Sequence, residues 1–319
     1  MNFEVEKTKV IKVCQENGIP LNQAEIVADV MVTADMYGVN SHGTSILDAH
    51  IQRVKRNGYN LNPNFMHLRE STSFVVIDGD NAFGFVSASY CMNYAIAKAK
   101  EVGVFQVFSR NNNTFGPAFY YSLKAAEQGL IGIIMSNSPA QMALIGGKDK
   151  MLGTNPFSVV FPVPSGDPII IDMATSVVAK SKFKQYKEAG KLLPDDWALD
   201  KNGVSTNDPD EGMQGFVQPM AGYKGQAIAM MIDVLSGVIS GASYLNRVGR
   251  FYSDDNSSMN VGFCCVAIDP EKVLGEEYSE TIKDYITVLR NCQTVTGENV
   301  SLPGDRKLQC MLKNARYKK

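Results

Sequence analysis

Short runs of β-branched and aromatic residues alternate with alanine-rich stretches through the middle of this 319-residue chain, and this alternation limits its possible folds most strongly. Phe74-Val75-Val76-Ile77 reads as a strand, followed by the turn Asp78-Gly79-Asp80-Asn81. A helix over about 86–101, a strand over 102–109, a helix over 117–128 and a strand over 130–136 come next. Residues 157–162 and 168–171 read as two strands joined by Pro164-Ser165-Gly166-Asp167. Strands and helices in this order predict an α/β or α+β architecture. Yet no Gly-x-Gly-x-x-Gly is present, and Gly146-Gly147-Lys148 lacks the first glycine and the hydroxyl of a P-loop. Neither standard nucleotide fingerprint is encoded.

The flanks read differently. Asn22 is placed to cap a helix whose apolar positions are Ile26, Val27, Val30, Met31, Ala34 and Met36. Gly38 and Asn40 end it, Ser41 is placed to cap the next helix, and Gly58 stops that one. Towards the C-terminus the pattern predicts a helix over 174–189, a polar surface loop over 192–219 and a buried helix after Lys224. A Gly/Ser-rich loop to about Ser258, a strand over 261–268, a helix over about 279–291 and a polar, basic tail complete the chain. Gln226 to Ala242 is too interrupted and too short to span a bilayer.

Charge and cysteine usage narrow the function. With 31 Lys+Arg against 33 Asp+Glu the net charge is −2, unlike a protein built to grip a phosphate backbone. The start, Met1 to Lys7, has no apolar core of a signal peptide. The six scattered cysteines read as buried thiols of a reducing cytosol, and three histidines make a zinc site an unlikely design. No metal, nucleic acid or membrane partner is expected.

Four segments carry possible chemistry, each with a plain structural alternative. In Asn40-Ser41-His42-Gly43 an imidazole at a helix start, beside a hydroxyl, suits a general acid/base. The same residues fit a simple capped turn. Gly153-Thr154-Asn155-Pro156 reads by itself as a turn. Asp172-Met173-Ala174-Thr175-Ser176 sends a carboxylate out at a strand end, where it could hold a ribose or an amide, or merely open a helix. Gly222-Tyr223-Lys224-Gly225 offers an anion site at a helix start, or a surface lysine.

Taken in order, these segments resemble the non-Rossmann class of malate/L-lactate dehydrogenases, which includes ureidoglycolate and sulfolactate dehydrogenases, diketogulonate reductase and cyclic-imine carboxylate reductases. Ala125-Ala126-Glu127-x-Gly129-Leu130-Ile131-Gly132, Ser136-Asn137-Ser138, Trp197-Ala198-Leu199-Asp200-x-x-Gly203 and Leu302-Pro303-Gly304 extend the likeness nearly end to end. The resemblance implies an NAD- or NADP-binding sheet domain over about 71–269, packed against a helical domain from residues 1–70 and about 270–319. It implies a cytoplasmic homodimer whose active site the partner subunit completes. The reaction it implies is hydride transfer between nicotinamide and C2 of a small 2-hydroxy or 2-oxo acid. His42 would exchange the proton and Ser41 would orient it, while Ser138, Asp172, Met173, Ala174 and Lys224 would contact the cofactor. Thr154 would face the substrate.

Three positions depart from that family. Ile46 stands where a carboxylate-clamping arginine is usual, His50 where a tyrosine is usual, and Thr114 where a second histidine is usual. Arg53, Arg110 and Lys148 are the candidate replacement cations, and His50 is a candidate ligand contact two helical turns from His42. Reduction of a cyclic imine carboxylate, or a weakened homologue that binds nucleotide or a partner, are the alternative functions these departures leave open.

Overall fold

The structure is a computed structural model that describes residues 2–252, 257–295, 297 and 299–316. It begins with α1 (Phe3–Glu16), α2 (Leu21–Met36) and α3 (Leu47–Lys55), then β1 (Met66–Glu70) and β2 (Phe74–Asp78). Next come α4 (Gly84–Val102), β3 (Val104–Asn112), α5 (Ala118–Ala126), β4 (Ile131–Ser136), β5 (Ala140–Met142), β6 (Leu152–Gly153), β7 (Phe157–Phe161) and β8 (Ile169–Met173). The last part holds α6 (Ser181–Glu188), β9 (Ala198–Leu199), β10 (Ser205–Thr206), α7 (Pro209–Gln214), β11 (Phe216–Val217) and α8 (Tyr223–Asp233). It closes with β12 (Val261–Ile268), α9 (Pro270–Leu274), α10 (Glu277–Arg290) and α11 (Asp305–Arg316).

A seven-stranded mixed sheet, ordered β1-β2-β3-β12-β4-β7-β8, organises the molecule. Only β2 and β3 run parallel; the other neighbours in it are antiparallel. Burial alternates along β3, β4 and β7, as the period-two pattern requires of strands packed on one face. The buried set, including Val107, Ile134 and Val160, lies in the cores beneath α4 and α5. Ser122 on α5 shares a 2.7 Å hydrogen bond with Ser158 on β7, so this buried polar pair is satisfied. The main apolar cluster runs from Phe3, Val10 and Met31 of the first two helices into the sheet at Val75 and Phe263.

Several local expectations change. Helix α2 starts at Leu21 after Pro20, so Asn22 lies inside it and caps nothing. Ser41 does not cap α3: Asn40–His42 and Thr44–Ile46 are two 3-10 turns, and α3 begins at Leu47. Asp35 organises these turns, its carboxylate accepting from the Thr44 backbone N–H and hydroxyl at 2.9 and 2.6 Å. Residues 174–180 are not helical, because Ser176 pairs with Pro219 and Thr175 with Thr154 before α6 can start. The segment over 192–219 is not a plain loop either. It holds α7 and a small sheet ordered β10-β9-β11, folded around Phe183, Leu193, Ala198 and Val217. The helix after Lys224 is buried on one side only, and the basic tail forms α11, with Leu308 buried. Part of the Gly/Ser-rich loop, residues 253–256, lies outside the described residues. No helix among the described residues is long and apolar enough to cross a membrane.

Candidate active site

Four remote parts of the chain meet through one small apolar cluster. Val39 and Tyr37 from the exit of α2, Phe119 and Leu123 from α5, Val160 and Ile170 from the sheet, and Leu308 and Met311 from α11 pack together. Their sequence neighbours are His42, Asp172 and Lys307. Packing of apolar residues therefore sets three polar side chains at one edge of the sheet. Lys307 Nζ lies 3.0 Å from Asp172 Oδ2 and 5.2 Å from the centre of the Phe119 ring. Both side chains of the ion pair are mostly covered, at 21% and 15% exposure. A pair this shielded is worth more than a solvated one, and the ring face adds to the hold on the ammonium.

His42 sits beside that pair. Ser41 Oγ lies 3.0 Å from His42 Nδ1, which fixes the ring's orientation. The residue keeps an exposed flank, yet the protein atoms around it disfavour the charged form and hold its pKa below the ordinary histidine value. Asp172 works against that shift and Lys307 with it. The cause is desolvation and not the dipole of a following helix, since α3 starts five residues later.

The second half of the site is stitched together by backbone bonds. Thr154 O accepts from Thr175 N at 2.9 Å and from Thr175 Oγ1 at 3.0 Å. Thr175 O in turn accepts from Met220 N, and Met220 O from Gly225 N, at the start of α8. Asn155 makes a parallel link: its Oδ1 accepts from Ser138 N at 3.0 Å and its Nδ2 donates to Ala229 O at 2.9 Å. Ser138, Thr154, Asp172, Met173, Ala174 and Lys224 are thereby held in one neighbourhood, although 86 residues separate the first from the last.

Those residues fit a nicotinamide dinucleotide. Ser138 Oγ is buried and has no hydrogen-bond partner, so a group that must be satisfied is left for a ligand. A side chain on Gly153 would run into the Ser138 carbonyl and hydroxyl, which explains a glycine there. Gly222 precedes α8 at φ 63°, a conformation suited to glycine, and the N–H groups of Tyr223 and Lys224 open the helix beside the exposed Lys224 side chain, while Gly225 N donates to Met220 O. An anion at that end would meet both the helix dipole and the ammonium.

Other candidates are placed elsewhere. His50 is not open to a ligand. It is 0% exposed, with Nδ1 2.7 Å from the Tyr59 hydroxyl, stacked on Phe83 and edged by Phe251. Burial pushes its pKa down to about 3. Arg53 is drawn into the same aromatic nest, donating to Asn113 Oδ1 and to the carbonyls of Ser257 and Phe251. Arg110 pairs with Asp78 at 3.1 Å, and Lys148 stands exposed beside the Gly203 turn. Ile46 packs against the main core, where a guanidinium would be poorly hydrated. Thr114 is half-buried at the end of β3, its carbonyl pressed against Gly84. Lys307 was not among the sequence candidates. The signal was present in Asp305, Leu308, Met311 and Leu312, an amphipathic pattern just after Pro303-Gly304, but nothing local says where such a helix docks.

The fold is that of a dehydrogenase scaffold without the usual dinucleotide fingerprint. The family description malate/L-lactate dehydrogenase matches residues 1–317, and the chain belongs to that family. It is 36% identical over 291 residues to a malate dehydrogenase of Pyrococcus horikoshii, covering 88% of this chain and 80% of the relative. An L-sulfolactate dehydrogenase of Methanocaldococcus jannaschii is 36% identical over 303 residues, 95% of this chain and 87% of the relative. The solved sulfolactate dehydrogenase from Methanocaldococcus jannaschii superposes with a TM-score of 0.91 at 35% identity, covering 98% of this chain and 90% of that one.

Proposed function

We propose that the protein transfers a hydride between NAD or NADP and C2 of a small 2-hydroxy or 2-oxo acid, with His42 as the acid/base. The observation that carries this reading is the exposed, Ser41-oriented imidazole beside Asp172, on the strand that leads to Met173 and Ala174. A bound nicotinamide dinucleotide would supply the hydride acceptor or donor, held by Ser138, Asp172, Met173, Ala174 and Lys224. With its Nδ1 hydrogen donated to Ser41 Oγ, His42 keeps the Nε2 lone pair for the substrate hydroxyl's proton. In the reverse direction the protonated ring returns it to the carbonyl oxygen. Desolvation favours the neutral ring, which suits removal of that proton near neutral pH. The Thr154 hydroxyl, next to the carbonyl that anchors Thr175, faces the substrate.

The active unit is a homodimer in the cytoplasm. Ser41, His42 and Met173 remain open to solvent in the single chain. The helical face of Met230, Val234 and Val238 is also exposed, an apolar strip unusual for a surface left in water. The first test is a fluorescence titration with NADH and with NADPH, followed by an absorbance assay over oxaloacetate, pyruvate, sulfopyruvate and a cyclic imine carboxylate. Binding of one nucleotide with turnover of a 2-oxo acid is expected. Tight binding without turnover of any of them would leave a nucleotide-binding homologue, and no binding would end the proposal.

A further inference from the structure

We infer that Lys307, on the C-terminal helix α11, is the cation that holds the carboxylate of the substrate against His42. The inference rests on the proposed reading of His42 as the acid/base and names the substrate contact that reading lacks. A 2-oxo acid carries its carboxylate on the atom next to the reacting carbon. A cation is therefore needed within a few ångströms of the imidazole, in a place shielded enough for the attraction to count.

The geometry narrows the choice. Arg53 spends its guanidinium on Asn113, Ser257 and Phe251 inside an aromatic nest. Arg110 is engaged by Asp78. Lys148 is exposed next to the Gly203 turn, in the small-sheet region of the molecule, and Lys224 stands at the anion end of α8. Lys307 is carried to the α2 exit that leads to His42: its neighbour Leu308 packs with Val39, and Asn314 on the same helix donates to the carbonyls of Asp35 and Met36. Its ammonium has three N–H groups, forms an ion pair with Asp172 Oδ2 3.0 Å away, and has the Phe119 ring on one side. Among the described residues the ammonium forms this ion pair but no hydrogen bond. Asp172 cancels the charge while the site awaits substrate, so the cation is held in place without an anion present. Leu308, the next residue, is buried in the cluster with Ile170 and Phe119, which fixes α11 and hence the reach of the ammonium. The ligand class is a carboxylate on a carbonyl or carbinol carbon.

The test compares Lys307→Met, Lys307→Gln and the wild type. Methionine preserves the packing on Phe119, and glutamine keeps a hydrogen-bond donor if methionine fails to fold. Nucleotide fluorescence first confirms that each variant binds NADH as the wild type does. KM for the 2-oxo acid should then rise by about 30- to 1000-fold, with kcat changed far less, as loss of a charge-assisted contact predicts. The wild-type preference for the acid over its methyl ester should fall by a similar factor. Binding of oxamate, a carboxylate that cannot be reduced, to the NADH complex should fall in parallel. An acid-to-ester ratio unchanged in both variants, or a wild-type NADH complex that does not bind oxamate, overturns the role of Lys307. Oxamate binding that depends on Lys307, in a wild type that turns over no substrate, would instead keep the anchor and remove the proposed activity.

Discussion

At the scale of single residues, two histidines eight positions apart meet opposite fates. His42 stays at an open edge with a hydroxyl on its ring, whereas His50 is sealed among Tyr59, Phe83, Phe85 and Phe251. The sealed one is a liability in acid. Its folded pKa of about 3 lies below the unfolded value of roughly 6.5, so only the unfolded chain takes up a proton in between. The stability it contributes is complete above the unfolded value and drains away as pH falls towards the folded one, by up to about 4 kcal/mol. Urea midpoints measured from pH 7 to pH 4 should drop for the wild type and drop distinctly less for His50→Leu. Parallel curves would show that this ring does not titrate on unfolding. Helical spacing does not relate His50 to His42, which lies in a separate 3-10 turn ahead of α3, and it could not say that four aromatic rings drawn from residues 59 to 251 would close over His50. Burial of that kind is decided by tertiary packing and leaves no local trace.

At the scale of elements, strands β2, β3, β4, β7, β8 and β12 and helices α4 and α5 were readable from their own residue patterns. Short pieces were not. The two-residue strands β9, β10 and β11 exist because the polar segment folds on Phe183 and Val217, and no window of sequence that short carries a strand pattern. The 3-10 turn at Thr44 depends on the Asp35 carboxylate, nine residues back in α2. The segments proposed to face the cofactor stand out one at a time; what the chain did not disclose is that Asn155 ties Ser138 to α8. Helix α8 itself supports a kinetic prediction. Lys224→Ala should raise the KM for the dinucleotide by about tenfold while leaving kcat at saturation nearly unchanged, because it removes binding common to the ground and transition states. Initial rates over a range of cofactor concentrations check this, and a loss confined to kcat would move Lys224 into the chemistry.

At the scale of the whole molecule, the C-terminal helix, the α2 exit and the outer strands of the sheet are held together by one apolar cluster, and the proposed chemistry stands at its border. An assembly of two chains is the natural cover for the exposed strip on α8 and the turn after it. Val234→Asp places a charge on that strip at a position 46% exposed in the single chain, so folding should survive. Sedimentation velocity should show the dimer weakened by roughly tenfold or more, with turnover falling alongside. A dimer as tight as the wild type would place the interface elsewhere. The central claim is that His42 moves the proton while hydride moves to or from a bound nicotinamide. Single-turnover reduction by NADH-loaded His42→Ala measures it most directly. The account predicts nucleotide affinity like the wild type and a rate lower by about two to four orders of magnitude. A rate equal to that of the wild type would contradict it.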